Sequence, residues 1–484
     1  MYPEWWGAAE SVVQNAARDT AALQACFDAA HNHRFFGPPA TPGATELRQA
    51  VFTHQRPTIP IVLQGPYLLN APLYLGERPP ASARYPDTDP SHPRLRNPEG
   101  FVLRGGAPVG SSGRGKATFL WDNRSTFPSG AEAMLVVRGS YGFTIQDASF
   151  DAGAPTGELD TRASRCLLVD SRGGSSQMNA LRRCTFRHAT RALVQLGPPP
   201  PDLTPGALQR PAIDIRDVGA ESGGHDLFGL RFEGCNFVAG GSAFGAGASP
   251  SQRARLADGV VFRANQSFGV EFDSCAFGGP ARAMIRAFGG SFLLTSCVFH
   301  TLRVFNGALP ESDDEPLGNG ADVFLEWFIP ERLPGAAFPT RQAAGGFTAT
   351  NCESQSWRFL LTPTYEDGTG NNYNTVLTNL HHAPVASGTG EEATVTRYPP
   401  AIVWDGPARR NAKLLLEGCL LEAGAGLGGR TLDSDARVLL GPDLPIGSVV
   451  SVGTRTSAGP RRLFGIRNAR AEELAPGLSL VEFG

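Results

Sequence analysis

Leu230-Arg-Phe232-Glu-Gly-Cys235-Asn-Phe237 and Val270-Glu-Phe272-Asp-Ser-Cys275-Ala-Phe277 are two copies of one pattern. Phe292-Leu-Leu294-Thr-Ser-Cys297-Val-Phe299 and Leu414-Leu-Leu416-Glu-Gly-Cys419-Leu-Leu421 repeat it. Cys184 keeps the pattern with Leu181 and Phe186, and Cys352 keeps it with Phe347. In Phe143-Thr-Ile145-Gln-Asp-Ala148-Ser-Phe150 an alanine takes the cysteine place. Apolar residues at −5 and −3 describe a strand with one face turned inward. A polar or tiny pair, the small cysteine and a new apolar residue at +2 describe a sharp corner and a second strand. Stacked units of this kind bring each cysteine above the last at the strand spacing of about 4.8 Å.

The expected fold is therefore all-β, a right-handed parallel β-helix, a single-stranded solenoid whose coils are marked by cysteine. Small, polarizable side chains suit an internal ladder. Stacked side chains pointing the same way make poor disulfides, so the six ladder cysteines, of eight in the chain, read as buried free thiols. Successive ladder positions lie from 22 residues (Cys275 to Cys297) to 67 residues (Cys352 to Cys419) apart. The shortest interval is one coil; the longer ones hold insertions or a coil without cysteine, and the number of coils between Cys184 and Cys235 stays open. Candidate insertions are Gly197 to Pro205, Glu311-Ser-Asp-Asp-Glu315, Tyr365 to Asn374 and Gly388 to Pro400. In solenoids such insertions collect on one face, often the binding face.

The 484 residues carry 58 Gly and 39 Pro, which fits many short strands joined by turns. A net charge of −3 gives no basis for a nucleic-acid partner. Lys116 and Lys413 are the only lysines, so positive charge here means arginine. No apolar run is long enough to enter a bilayer as a spanning helix. The start, Met1-Tyr-Pro-Glu-Trp-Trp, shows no signal peptide.

Ahead of the repeats, Asp19-Thr-Ala-Ala-Leu-Gln-Ala-Cys-Phe-Asp-Ala-Ala30 reads as an amphipathic helix with Asp19 as N-cap. Pro3-Glu-Trp-Trp-Gly-Ala8 precedes it; Ile61-Val-Leu-Gln-Gly-Pro-Tyr-Leu-Leu69 and Ala71-Pro-Leu-Tyr-Leu-Gly76 follow. This order resembles the opening of the pectate lyase-like superfamily, which includes phage tailspikes and polysaccharide depolymerases. The resemblance covers residues 3 to 425 and implies a helix that caps the open end of the solenoid. The expected division is 1–50 with the capping helix, 51–432 as β-helix, and 433–484 as a strand-rich tail. Within the tail, Ser448-Val-Val-Ser-Val452 is strand-like.

The resemblance also implies a polysaccharide bound along the leading sheet, formed by the strand that precedes the cysteine-marked strand. It implies action outside the cell or on a particle, and a homotrimer as the assembly of the tailspike relatives. Candidate leading strands are 134–138, 166–170, 212–216, 259–263, 283–286, 322–327, 358–361 and 401–405. The run Arg191-Ala-Leu-Val-Gln195 is a further candidate between the second and third. Arg138, Arg216, Arg263 and Arg286 recur near the ends of these strands and would align into a strip for carboxylate or sulfate groups. Trp327, Trp357 and Trp404 flank the same strands; outward they would stack on sugar rings, inward they are core.

Glycosidases use two carboxylates, about 5 Å apart for retention or 6.5–9.5 Å for inversion. Positions on adjacent coils, or one coil further, offer both spacings. Asp170 and Asp214 are the first candidate pair, with Asp214 and Arg216 alternating outward together. Asp226 is a third acid, beside His225 as acid or base. A lyase would need a base and a neutraliser of the uronate, often Ca²⁺, for which Asp313, Asp314 and Glu315 would serve. No other cofactor is implied. His381-His382 lacks metal-ligand companions and reads as loop. The expected function is cleavage of an acidic polysaccharide, hydrolysis ahead of elimination, with a non-catalytic glycan-binding spike or a structural solenoid as the alternative.

Overall fold

The structure, a computed structural model, describes residues 2–8, 15–32, 60–75, 100–106, 117–124, 126–128, 132–138, 140, 142–153, 162–170, 176–197, 226–238, 258–263, 266–278, 283–288, 291–300, 323–328, 346–354, 358–362, 374–382, 401–404, 413–422, 437–440, 449–456 and 463–466. Their strands form three parallel sheets of eleven strands each, with neighbours in a sheet always one coil apart in sequence. Each coil contributes a leading, a central and a trailing strand. The fold is the expected right-handed parallel β-helix. The central sheet runs from Ile61–Leu63 to Val449–Val452, the trailing sheet from Pro66–Leu69 to Arg455–Thr456, and the leading sheet from Leu73–Leu75 to Phe464–Ile466. The strand-like run in the tail is thus the last central strand.

The cysteine ladder exists, and all eight thiols are free and buried. Ala180–Arg182 pairs directly with Arg231–Glu233, so one coil separates Cys184 from Cys235. Two coils separate Cys352 from Cys419, because Asn374–Thr378 intervenes and Leu380 takes the ladder place. The thiols do more than fill space. Cys235 Sγ donates to the Leu181 carbonyl of the preceding coil at 3.3 Å, and Cys275 and Cys297 do the same to Phe232 and Phe272 at 3.4 Å.

The residue before each ladder position turns the corner in the left-handed region: Asp147, Arg183, Ser274, Ser296, Asn351 and Asn379, with glycine at 234, 418 and 453. Gly, Asn, Asp and Ser suit that conformation. Arg183 is the misfit, and its guanidinium is clamped by Asp147 of the coil below at 2.7 and 2.9 Å. Beyond the corner, the inward row of the trailing sheet stacks Phe119, Phe150, Phe186, Phe237 and Phe277 with centroids 4.8–5.4 Å apart. Phe299 continues the row, followed by Ser354, His382 and Leu421. His381–His382 is therefore a strand of the trailing sheet and not a loop; His382 is buried against Arg437 (Nη2 to Nδ1 3.1 Å).

The helix Ala16–Asn32 closes the first coil. Asp19 is not its N-cap: it lies in the first turn, fully buried, and accepts a hydrogen bond from the Leu68 N–H. The capping oxygen belongs to Asn15, which accepts from the Arg18 N–H. Gln24 pairs with both backbone groups of Tyr74, at 2.9 and 3.0 Å, and Thr20 bonds Asn70. Helix side chains thus stand in for the missing neighbouring coil along an otherwise open strand edge.

Candidate functional site

The long connections are distributed unevenly around the coil. Central and trailing strands are joined by two-residue bends at 274–275, 296–297, 351–352, 379–380 and 418–419, and Gly105 to Thr118 is the one long exception. On the approach to the leading sheet the chain runs from Val238 to Asp258, His300 to Val323, His382 to Ile402 and Leu421 to Val438. On its exit it runs from Leu75 to Val102, Leu196 to Asp226, Phe328 to Gly346 and Thr362 to Asn374. Insertions border the leading sheet on both sides.

Seven of the eight candidate leading strands do lie in this one sheet, in the expected order. The eighth, 212–216, lies outside the described residues; Ala192–Leu196 pairs with Arg165–Asp170 on one side and Asp258–Arg263 on the other. The strand beside Arg165–Asp170 is thus the further candidate run 191–195. Asp214, Arg216 and His225 lie outside the described residues, as do Trp357, Asp313, Asp314 and Glu315. Asp226 opens the short strand Asp226–Phe228, which belongs to a separate three-stranded sheet between the leading and central sheets. Asp170 ends its leading strand and Asp226 begins the exit strand of the next coil, so the topology leaves these two acids on adjacent coils along one border.

Registers also revise the arginine strip. Arg138 pairs with Asp170, and Arg286 lies between Val261 and Glu326, so Arg286 falls in a different row from Arg138 and each has an acidic residue beside it. Because Leu196 pairs with both Val169 and Phe262, Arg263 falls in the row of Arg138 and Asp170, with Gly197 between. Trp404 is fully buried and belongs to the core, which removes it as a sugar platform. Trp327 shares its row through Leu361.

The outer face of the leading sheet is covered over its first coils. Tyr74, Val136 and Leu168 form a cluster of their own, apart from the main core, with Val136 and Leu168 fully buried. Gln195, next in that row, is buried as well. Elsewhere the central sheet presents ion pairs on its outer face, Arg182 to Glu233 at 2.9 Å and Arg231 to Glu271 at 2.7 Å.

Two imidazole–carboxylate pairs escaped sequence reading. His188 Nδ1 lies 2.8 Å from Asp151 Oδ1, both side chains largely buried. His381 Nε2 lies 2.9 Å from Glu422 Oε1, at an exposed site on the trailing sheet. The first pair sits where the trailing strands Ser149–Asp151 and Thr185–Arg187 turn toward the leading sheet. Arg162, also buried, donates to the His188 carbonyl at 3.4 Å, and Asp151 further accepts from the Gly153 N–H. Among the described residues no three His, Cys, Asp or Glu side chains converge to hold a metal ion. No helix of the described residues is long and apolar enough to cross a membrane.

No family model matches the chain, and no curated protein does. Among solved structures, the A-module of the mannuronan C-5 epimerase AlgE4 from Azotobacter vinelandii aligns at 11% identity and a TM-score of 0.49, over 96% of this chain and 90% of that one. The Streptococcus pneumoniae surface protein and adhesin PfbA aligns at 9% and 0.42, over 96% and 99%. An endo-xylogalacturonan hydrolase from Aspergillus tubingensis aligns at 10% and 0.38, over 84% and 87%. Likeness at this level assigns no activity, and the fold stands on the chain's own strand pairing.

Proposed function

We propose that the protein binds an acidic polysaccharide along the leading sheet, on its exit border beside the covered first coils and on its outer face beyond them, and cleaves it. The observation that carries this reading is the placement of the long connections on both borders of that sheet, while the central-to-trailing side is almost bare. A floor repeating at the coil spacing suits an extended polymer better than a compact ligand. Arg138, Arg263 and Arg286 on that floor suit carboxylate or sulfate groups.

Hydrolysis is the first reading, with Asp170 and Asp226 as the acid pair on adjacent coils. Elimination is the second, favoured by the His188–Asp151 pair at the approach border. The test is incubation with a panel of acidic polysaccharides. New reducing ends without an unsaturated uronate chromophore indicate hydrolysis; the chromophore indicates elimination. Saturable binding without products indicates a glycan-binding spike, and neither binding nor products would overturn the proposal.

A further inference from the structure

The outer face of the central sheet changes character partway along the solenoid. In the earlier coils its outward rows carry Arg104, Arg182, Arg231, Glu233, Glu271 and Asp273. Ion pairs from Arg182 to Glu233 and from Arg231 to Glu271 tie neighbouring coils there. From Ser291 onward the same rows lose almost all charge. The middle row reads Leu293, Thr348, Val376, Leu415 and Val450. The row at the strand ends reads Thr295, Thr350, Thr378, Glu417 and Val452, and the row at the strand starts reads Ser291, Gly346, Asn374 and Lys413.

Alternation holds these residues outward, because Phe292, Phe347, Leu377 and Leu416 between them fill the core. Six large apolar side chains are exposed among the described residues, and three of them, Leu293, Val450 and Val452, lie on this one face. The two charges left on it stand at opposite ends of a single strand. Lys413 opens Lys413–Glu417 and Glu417 closes it, both exposed, with Leu415 midway.

That arrangement is self-complementary. A two-fold axis in front of the face and parallel to the solenoid lays each coil against the same coil of a second copy, with strands running oppositely. Lys413 then meets the partner's Glu417, and Glu417 meets the partner's Lys413. The middle row meets itself, Leu415 on the partner's Leu415 and Val376 on the partner's Val376. Thr295, Thr350 and Thr378 fall opposite the small or polar Ser291, Gly346 and Asn374 of the partner. A two-fold axis along the strands would instead set Lys413 against Lys413, and like charges placed together across an interface are unfavourable.

We propose that the outer face of the central sheet, from Ser291–Thr295 to Val449–Val452, is an interface with a second copy of this chain, the two solenoids parallel and side by side. Five strands at about 4.8 Å spacing and about 3.3 Å per residue give roughly 400 Å² on each copy. That is about half of a standard interface, so the dimer is weak and forms only at high protein concentration. The leading sheet stays open on the other flank of each solenoid.

The experiment is sedimentation equilibrium of the full chain from about 1 to 300 µM, a range that reaches weak association. The wild type should pass from monomer toward dimer. Leu415→Glu places two carboxylates face to face and should stay monomeric throughout, with an unchanged circular dichroism spectrum. Lys413→Glu and Glu417→Lys should each weaken the dimer by about tenfold, since both symmetry-related pairs turn repulsive. The double variant Lys413→Glu with Glu417→Lys restores opposite charges across the axis and should return to within about threefold of wild type. That recovery separates the interface from any folding defect of a single variant. A wild type that is monomeric throughout, or that forms trimers, would overturn the inference. So would a dimer that survives Leu415→Glu, or a double variant no better than the single ones.

Discussion

Replacing Phe237 by alanine gives the sharpest forecast from the core. Phe237 lies in the stacked row with Phe186 at 5.4 Å and Phe277 at 4.8 Å, and meets Phe232 and Phe272 edge-on at 5.7 and 6.1 Å. It is fully buried. Truncating a core phenylalanine costs about 3–5 kcal/mol, and each lost aromatic pair adds about 0.5–1.5 kcal/mol beyond area burial. Because neighbouring rings relax in part, the expected total is about 4–6 kcal/mol. In a solenoid the loss should be local, since each coil contacts only its neighbours. Native-state hydrogen exchange reads this coil by coil. The amides of Asn236 and Ala276, bonded to the carbonyls of Cys184 and Cys235, should lose most of that protection free energy. Amides of Val102–Gly105 should lose under about 1 kcal/mol. A loss below about 2 kcal/mol at the adjacent coils, or an equal loss along the whole chain, would refute the stacked-row reasoning.

Three further outcomes are expected. Burial pushes the Cys26 thiol up to about 12 and raises Cys166 and Cys419, so a disulfide-exchange reagent should find these thiols inert in the native protein and reactive after denaturation. Hydrogen bonds from Arg124 hold Asp122 below its usual 3.8, so its contribution is present above that pH and lost as pH falls through the lower folded value. The melting-temperature gap between wild type and Asp122→Asn should therefore be present at neutral pH and close in acid. At Gly105 a Cβ would overlap the Asp147 carbonyl oxygen and crowd Ala117 Cβ at 2.9 Å, so Gly105→Ala should cost about 1–3 kcal/mol in urea unfolding.

The coils were readable because one register recurs: apolar positions, corner residue and cysteine stay in fixed order within each copy. What the pattern could not give was spacing between copies. The length of the 198–225 stretch hides the fact that Ala192–Leu196 fills the leading strand beside Arg165–Asp170. Trp404 reads equally well outward or inward until the row it shares is known. The Asp151–His188 contact spans 37 residues and joins adjacent coils, a distance that varies from coil to coil. No local motif marks it. The only trace in the sequence is a histidine two residues after the Cys184–Phe186 unit.

The central claim is that function lies on the leading sheet. Hydroxyl-radical footprinting with a saturating acidic oligosaccharide tests it most directly. Protection is predicted at Arg138, Arg263 and Arg286 and along the two bordering connections, with the outer face of the central sheet, Leu293 and Val450, unchanged. Protection confined to the central or trailing faces would contradict it.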